Sequence, residues 1–197
     1  MNVGRHIHIH RAGTGPALVF LHGWTMAGDI FTDAFARLTA DFTCLAPDLP
    51  GHGGTTGFAA SVEGAVAMLD HMLEHEGLAD VTLIGWSLGA LIGWRYLEQH
   101  GAERVRAMIS LDMSPRPLNG PDWALGMRGQ STEDGRAKSS RFREDWPRSA
   151  RAIARTMFAG PHGAPALGTD QAEARIKAQP AAVMASFWDS LVECDLR

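Results

Sequence analysis

Ser87 stands in Gly85-Trp86-Ser87-Leu88-Gly89, directly between the apolar run at residues 81–84 and a helical pattern that begins at Leu88. A serine at a sharp strand-to-helix turn has its hydroxyl pushed out from the sheet edge. There, with a base to take its proton, it can attack a carbonyl carbon. Gly85 and Gly89 leave room where a Cβ would meet the neighbouring strand or helix. The Leu88 amide, first in the new helix, has no intrahelical partner and can face a developing oxyanion. A second donor is available from His22-Gly23-Trp24, where Gly23 lets the backbone turn outwards and offers the Trp24 amide to the same point. The chemistry these residues could do together is acyl transfer from an ester or thioester.

The elements that must position them follow from periodicity. Residues 17–21 and 42–46 are continuous apolar runs, as expected of strands covered on both faces. Between them, a helix from Asp29 or Thr32 to about Leu38 would carry Ile30, Phe31, Phe35 and Leu38 on one face. Ser61 opens a helix with an apolar stripe from Val62 to Leu73, stopped by Gly77. The elbow helix runs to about His100, and residues 106–112 form the next strand. Strands alternating with helices predict a mostly parallel α/β sheet with ligands at the strands' carboxyl ends. His22, Asp48, Ser87 and Asp112 all fall at such ends.

Residues 5–10 alternate strictly, with His6, His8 and His10 on one side of a half-buried strand. Two histidines two apart on a strand can ligate a metal, and a polar solvent face explains the same pattern without an ion. His52 lies in a turn-rich stretch and is expected to shape it. Beyond Pro115 the chain is loop-rich to Gly135, then helical over three stretches: from Arg141 or Pro147 to Ala159, 170–179 and 180–196. The division expected is a core at 1–115 and a helical cap at 116–197. Arg136, Lys138, Arg141, Arg143, Arg148, Arg151 and Arg155 make part of the cap basic, either as a solvated surface or as a face for an acidic carrier or a carboxylate substrate.

With 45% hydrophobic and 20% charged residues a well-buried core is affordable. A net charge of −4 argues against a nucleic-acid binder. No uninterrupted apolar run reaches membrane-spanning length, and the N-terminus lacks the apolar stretch of a secretory signal. Cys44 and Cys194 are far apart and read as two reduced thiols. A soluble cytoplasmic protein is expected.

The stretches His22-Gly23-Trp24, Asp48-Leu49-Pro50-Gly51-His52-Gly53, Gly85-Trp86-Ser87-Leu88-Gly89 and Asp112-Met113-Ser114-Pro115 resemble, in order and spacing, the α/β-hydrolase family in its cap-bearing serine esterase and haloperoxidase-like branch. The resemblance implies Ser87 as nucleophile, the Trp24 and Leu88 amides as oxyanion hole, and a small-molecule ester or thioester as substrate. It implies no metal or organic cofactor. Asp112 is a candidate acid, since some members place theirs on this strand; His162 follows it in the right chain order for a substitute base. In complete members the acid follows the strand after the cap, and the histidine follows the final strand. Both partners and the last strands are therefore expected to be missing here, leaving a weakly active or inactive enzyme. The alternative is a non-catalytic relative that binds a small apolar ligand.

Overall fold

The computed structural model describes residues 4–158, 160, 162–164 and 167–197. Five strands form the central sheet: β1 (Ile9–Ala12), β2 (Ala17–Leu21), β3 (Thr43–Pro47), β4 (Val81–Trp86) and β5 (Val105–Leu111), in spatial order β1-β3-β2-β4-β5. The pairs β2–β3, β2–β4 and β4–β5 are parallel, and β1 runs antiparallel to β3 with Ile9 opposite Pro47. The N-terminal strand thus begins later than its alternation predicts. Residues 5–8 contribute an isolated bridge between His6 and Thr56 and single main-chain hydrogen bonds of His8 with Asp48 and Thr55. Alternation identifies a face, whereas the strand exists only where β3 offers pairing partners.

After β2, a short 3-10 turn (Gly28–Phe31) leads into α1 (Thr32–Leu38). Phe31 and Phe35 from this pair pack on Phe20, with ring centroids 5.1 and 5.4 Å away. Helix α2 (Val62–His75) opens as expected at Ser61, whose Oγ accepts the Gly64 amide at 3.0 Å. Helix α3 (Leu88–His100) follows the elbow, and Gly101 ends it at φ 71°. The sheet core is built from Val19, Leu21, Leu45, Leu83 and Leu88 against the stripe of α2.

Downstream lie α4 (Thr132–Glu144), α5 (Trp146–Thr156), a small hairpin of β6 (Gly163–Ala164) and β7 (Leu167–Gly168), α6 (Thr169–Lys177) and α7 (Ala181–Val192). The loop expected to last until Gly135 stops earlier. Ser131 and Asp134 form a reciprocal capping box that starts α4 inside the stretch expected to be loop. The expected helix end at Ala159 lies outside the described residues, and α5 ends at Thr156. Helix α7 belongs to both halves of the interior. Phe187 and Leu191 enter the sheet core, while Met184, Ala185 and Trp188 join Phe142, Trp146 and Ile176 in a second cluster. Ser190 Oγ also accepts the Val62 amide at 2.8 Å, so α7 caps α2.

Strand β5 is an edge among the described residues, and most of it faces solvent; Ile109 and Leu111 are 48% and 44% exposed. Such an uncovered apolar edge strand invites pairing. No helix among the described residues is long and apolar enough to cross a membrane.

Candidate active site

Ser87 is the single residue between β4 and α3. Its backbone has φ 52° and ψ −116°, a region that costs a non-glycine residue about 1–3 kcal/mol and persists only where packing enforces it. The enforcement is visible in the neighbours. A Cβ on Gly89 would lie 2.0 Å from the Leu21 carbonyl oxygen, and one on Gly85 would lie 2.5 Å from the Ala90 Cα and amide nitrogen. Helix α3 therefore comes within backbone contact of β2 and turns back on β4. The Ser87 amide donates to the Leu111 carbonyl at 2.8 Å, which locks the turn to the end of β5. Ser87 itself is half-buried, so solvent reaches the turn.

The loop after β2 approaches from the other side. Gly23 packs so closely on Trp86 that a Cβ would be 3.1 Å from its ring. His22 is fully buried; its Nε2 accepts the Leu49 amide at 2.9 Å, and its Nδ1 therefore donates to the Gly23 carbonyl at 2.9 Å. Burial pushes its pKa down to about 4. His52 is held the same way, accepting from the Thr25 amide at 3.3 Å and donating to the Pro50 carbonyl at 3.1 Å, with burial lowering its pKa to about 3. Both imidazoles are neutral struts between the loops after β2 and β3. Neither has a nitrogen left for proton transfer, and His52 shapes its turn as expected.

The Trp24 side chain packs into the helical region. Its Nε1 donates to the Met184 carbonyl at 3.1 Å, and its ring lies 5.0–5.1 Å from those of Trp188 and Phe142. This anchoring of the loop by α4 and α7 escaped the sequence reading; the signal for it was the apolar face shared by Met184 and Trp188. A groove of about 780 Å³ opens beside Trp24, lined also by Phe142, Ile153, Met157 and Trp188. Lys138, Arg141 and Arg148 line it too, along with Glu144 and Asp145. Ser87 does not line it.

Asp112 follows β5 at φ 55° with an exposed side chain. The structure places it one strand over from Ser87, and no imidazole hydrogen-bonds to either residue among the described ones. His162 sits at the turn into the β6–β7 hairpin, whose Leu167 lies with Asp29 and Ile30 on the β2–β3 side of the sheet. Gly23 is thus packed on Trp86, the residue before Ser87, whereas Asp112 and His162 are not joined into a relay with Ser87.

A strand–serine–helix elbow with flanking glycines on this sheet defines the α/β-hydrolase class. The sequence profile of the family described as the alpha/beta hydrolase fold matches residues 16–145, and the chain belongs to that family. It is 36% identical over 126 residues to the pimeloyl-[acyl-carrier protein] methyl ester esterase of Nitrosomonas europaea, a match covering 61% of this chain and 46% of that protein. The enzyme of the same name from Chromobacterium violaceum is 31% identical over 127 residues, covering 64% and 48%. The chain spans about half the length of the curated relatives it matches. Among solved structures, an esterase from Exiguobacterium antarcticum superposes with a TM-score of 0.87 at 21% identity, over 98% of this chain and 72% of that one. A bromoperoxidase from Bacillus anthracis gives 0.87 at 18%, over 98% and 71%. At these identities the two structures show the shared fold.

Proposed function

We propose that this chain carries the nucleophile and oxyanion hole of a serine ester hydrolase. The observation that carries this is the left-handed Ser87 held at the β4–α3 turn by two glycines that admit no Cβ. Ser87 Oγ attacks the ester carbonyl carbon and loses its proton. The tetrahedral oxyanion accepts hydrogen bonds from the Leu88 and Trp24 amides, the alcohol leaves with a proton, and water then releases the acid from acyl-Ser87. Residues 1–115 supply the reacting group and 116–197 the cover over it.

The proton acceptor is the part that the described residues do not bring to Ser87. A serine without its histidine loses roughly a millionfold in turnover in a comparable hydrolase, so residues 1–197 alone are expected to be very slow. A fluorophosphonate probe is expected to label Ser87 slowly, and Ser87→Ala to abolish that label. Label that persists in Ser87→Ala would overturn the assignment. A folded chain that takes up no label would favour the alternative function, binding of a small apolar ligand without turnover.

The substrate we infer is an acyl ester presented by an acidic carrier. The curated relatives are named for a methyl ester of a pimeloyl-[acyl-carrier protein], and the groove combines apolar walls with a basic side. Arg136, Arg141, Arg148 and Arg155 are exposed and have no carboxylate ion pair among the described residues, whereas Arg143 pairs with Asp189 and Arg151 with Glu173. Binding of a phosphopantetheine-bearing acyl-carrier protein should therefore weaken steeply with salt, and Arg141→Glu with Arg148→Glu should weaken it about tenfold or more at low salt. Binding unchanged by either would remove the carrier from the proposal and leave a free small-molecule ester.

A further inference from the structure

We propose that His8, His10 and Asp48 form a binding site for a borderline divalent transition-metal ion, with zinc as the ion of choice, on the opposite side of the sheet from β5. The site is a product of sheet register. Because Ile9 pairs with Pro47, His8 falls opposite Asp48, and the Asp48 amide donates to the His8 carbonyl at 2.9 Å. His8 and His10 project from the same face two residues apart, with ring centroids 4.7 Å apart. Asp48 Oδ2 lies 2.8 Å from His8 Nδ1, and Oδ1 lies 3.6 Å from His10 Nε2. The three donor atoms all fall within 4.8 Å of one another. Tetrahedral zinc, with bonds of about 2.0–2.1 Å, needs donors separated by roughly 3.3 Å. Shifts of about an ångström in the two imidazoles reach that spacing.

The mobile and fixed parts are correctly divided for this purpose. Asp48 is almost fully buried and held by main chain, its Oδ1 accepting the Gly28 amide and its Oδ2 the Gly54 amide, each at 2.8 Å. Gly53, at φ 54°, lets the loop close so tightly over this carboxylate that a Cβ there would collide with it. The ligands free to move are the two imidazoles, which are partly exposed and open onto a concavity shared with Asp29 and Arg175. Those two residues form an ion pair, so Asp48 supplies the net negative charge. Two imidazoles and one carboxylate with room for water suit zinc, cobalt or nickel better than calcium or magnesium, which prefer all-oxygen shells. Nothing in the hydrolytic proposal uses this site.

The test uses tag-free full chain, stripped with chelator and titrated with zinc alone and with cobalt(II). The expected result is one zinc per chain and visible cobalt absorption of a four-coordinate centre. His8→Ala and His10→Ala should each weaken zinc binding by about 100-fold, at least the loss typical of removing even an outer-sphere partner. His8→Gln, which can still hydrogen-bond Asp48, and the polar His10→Gln guard against variants that simply fail to fold and should bind as weakly as the alanines. His71 and His75 form a helical pair with rings 5.3 Å apart and provide the control. Zinc binding that survives both strand variants, or that is lost instead in His71→Ala, overturns the proposal, as does an absence of zinc binding by the unaltered chain.

Discussion

Gly89→Ala is expected to destabilise the protein by about 3 kcal/mol or more, the upper range for forcing atoms into a packed interior, and to abolish labelling of Ser87. The added methyl would lie 2.0 Å from the Leu21 carbonyl oxygen and 2.5 Å from its carbon. Both are backbone atoms of the central strand β2, so no side-chain rotation relieves the clash. Either α3 tilts away from the sheet or β2 shifts within it, and both movements open the turn that holds Ser87. Gly93 provides a matched comparison one helical turn further along α3. A methyl there would lie 2.5 Å from the Met108 Cε, the end of a flexible side chain. Alanine is also favoured over glycine in a helix by about 1 kcal/mol. Gly93→Ala should therefore unfold in urea within about 1 kcal/mol of the parent and label normally. Equal urea midpoints for the two variants would mean that α3 does not sit on β2 as described.

Stability is expected to fall steeply between pH 6.5 and pH 4. His22 and His52 are buried and neutral, with pKa values pushed by burial from 6.5 down to about 4 and about 3. An imidazole that resists protonation only when folded makes the unfolded chain the better proton acceptor. Stability is then full above the unfolded value near 6.5, and is lost as the pH falls towards the folded values. At about 1.4 kcal/mol per pH unit, His22 alone accounts for roughly 3 kcal/mol by pH 4. His52 has a comparable effect, and the two do not add simply, because the positive charge of one disfavours charging the other. Asp48 extends the trend to lower pH. Burial raises its pKa, but the Gly54 and Gly28 amides and the His8 ring outweigh burial and hold it below the usual carboxylate range. Urea melts at pH 7, 6, 5 and 4.5 measure the slope. His22→Gln, whose amide can replace both hydrogen bonds, should flatten it. A parent stability that is level from pH 7 to 4.5 would show that these imidazoles are not the buried struts described.

Strands β2 and β4 were legible to the residue or nearly so, because each is a short, largely apolar run bounded by turn residues. The Ser87 elbow was legible for a similar reason, since its glycines, serine and flanking elements are contiguous in the chain. What escaped was whatever depends on a distant partner. The start of β1 is set by where β3 can pair, which alternation over residues 5–10 does not encode. Helix α4 was hidden by the glycines up to Gly135, although Ser131 and Asp134 carried its capping signal. Asp48 joins His8 and His10 only through an antiparallel register spanning 40 residues of chain, with His8 Nδ1 as its hydrogen-bond partner. The Trp24 indole reaches Met184 across 160 residues. Spacing rules see none of these long-range meetings.

The bare flank of β5 has a practical consequence at the bench. Its row of main-chain groups, left without a neighbouring strand among the described residues and with Ile109 and Leu111 alongside, offers a ready template to any extended chain, including another molecule of the same kind. Preparations of residues 1–197 should therefore behave differently at dilute and at concentrated ends of a purification. Rates, melting curves and metal titrations are comparable only when taken at one fixed protein concentration.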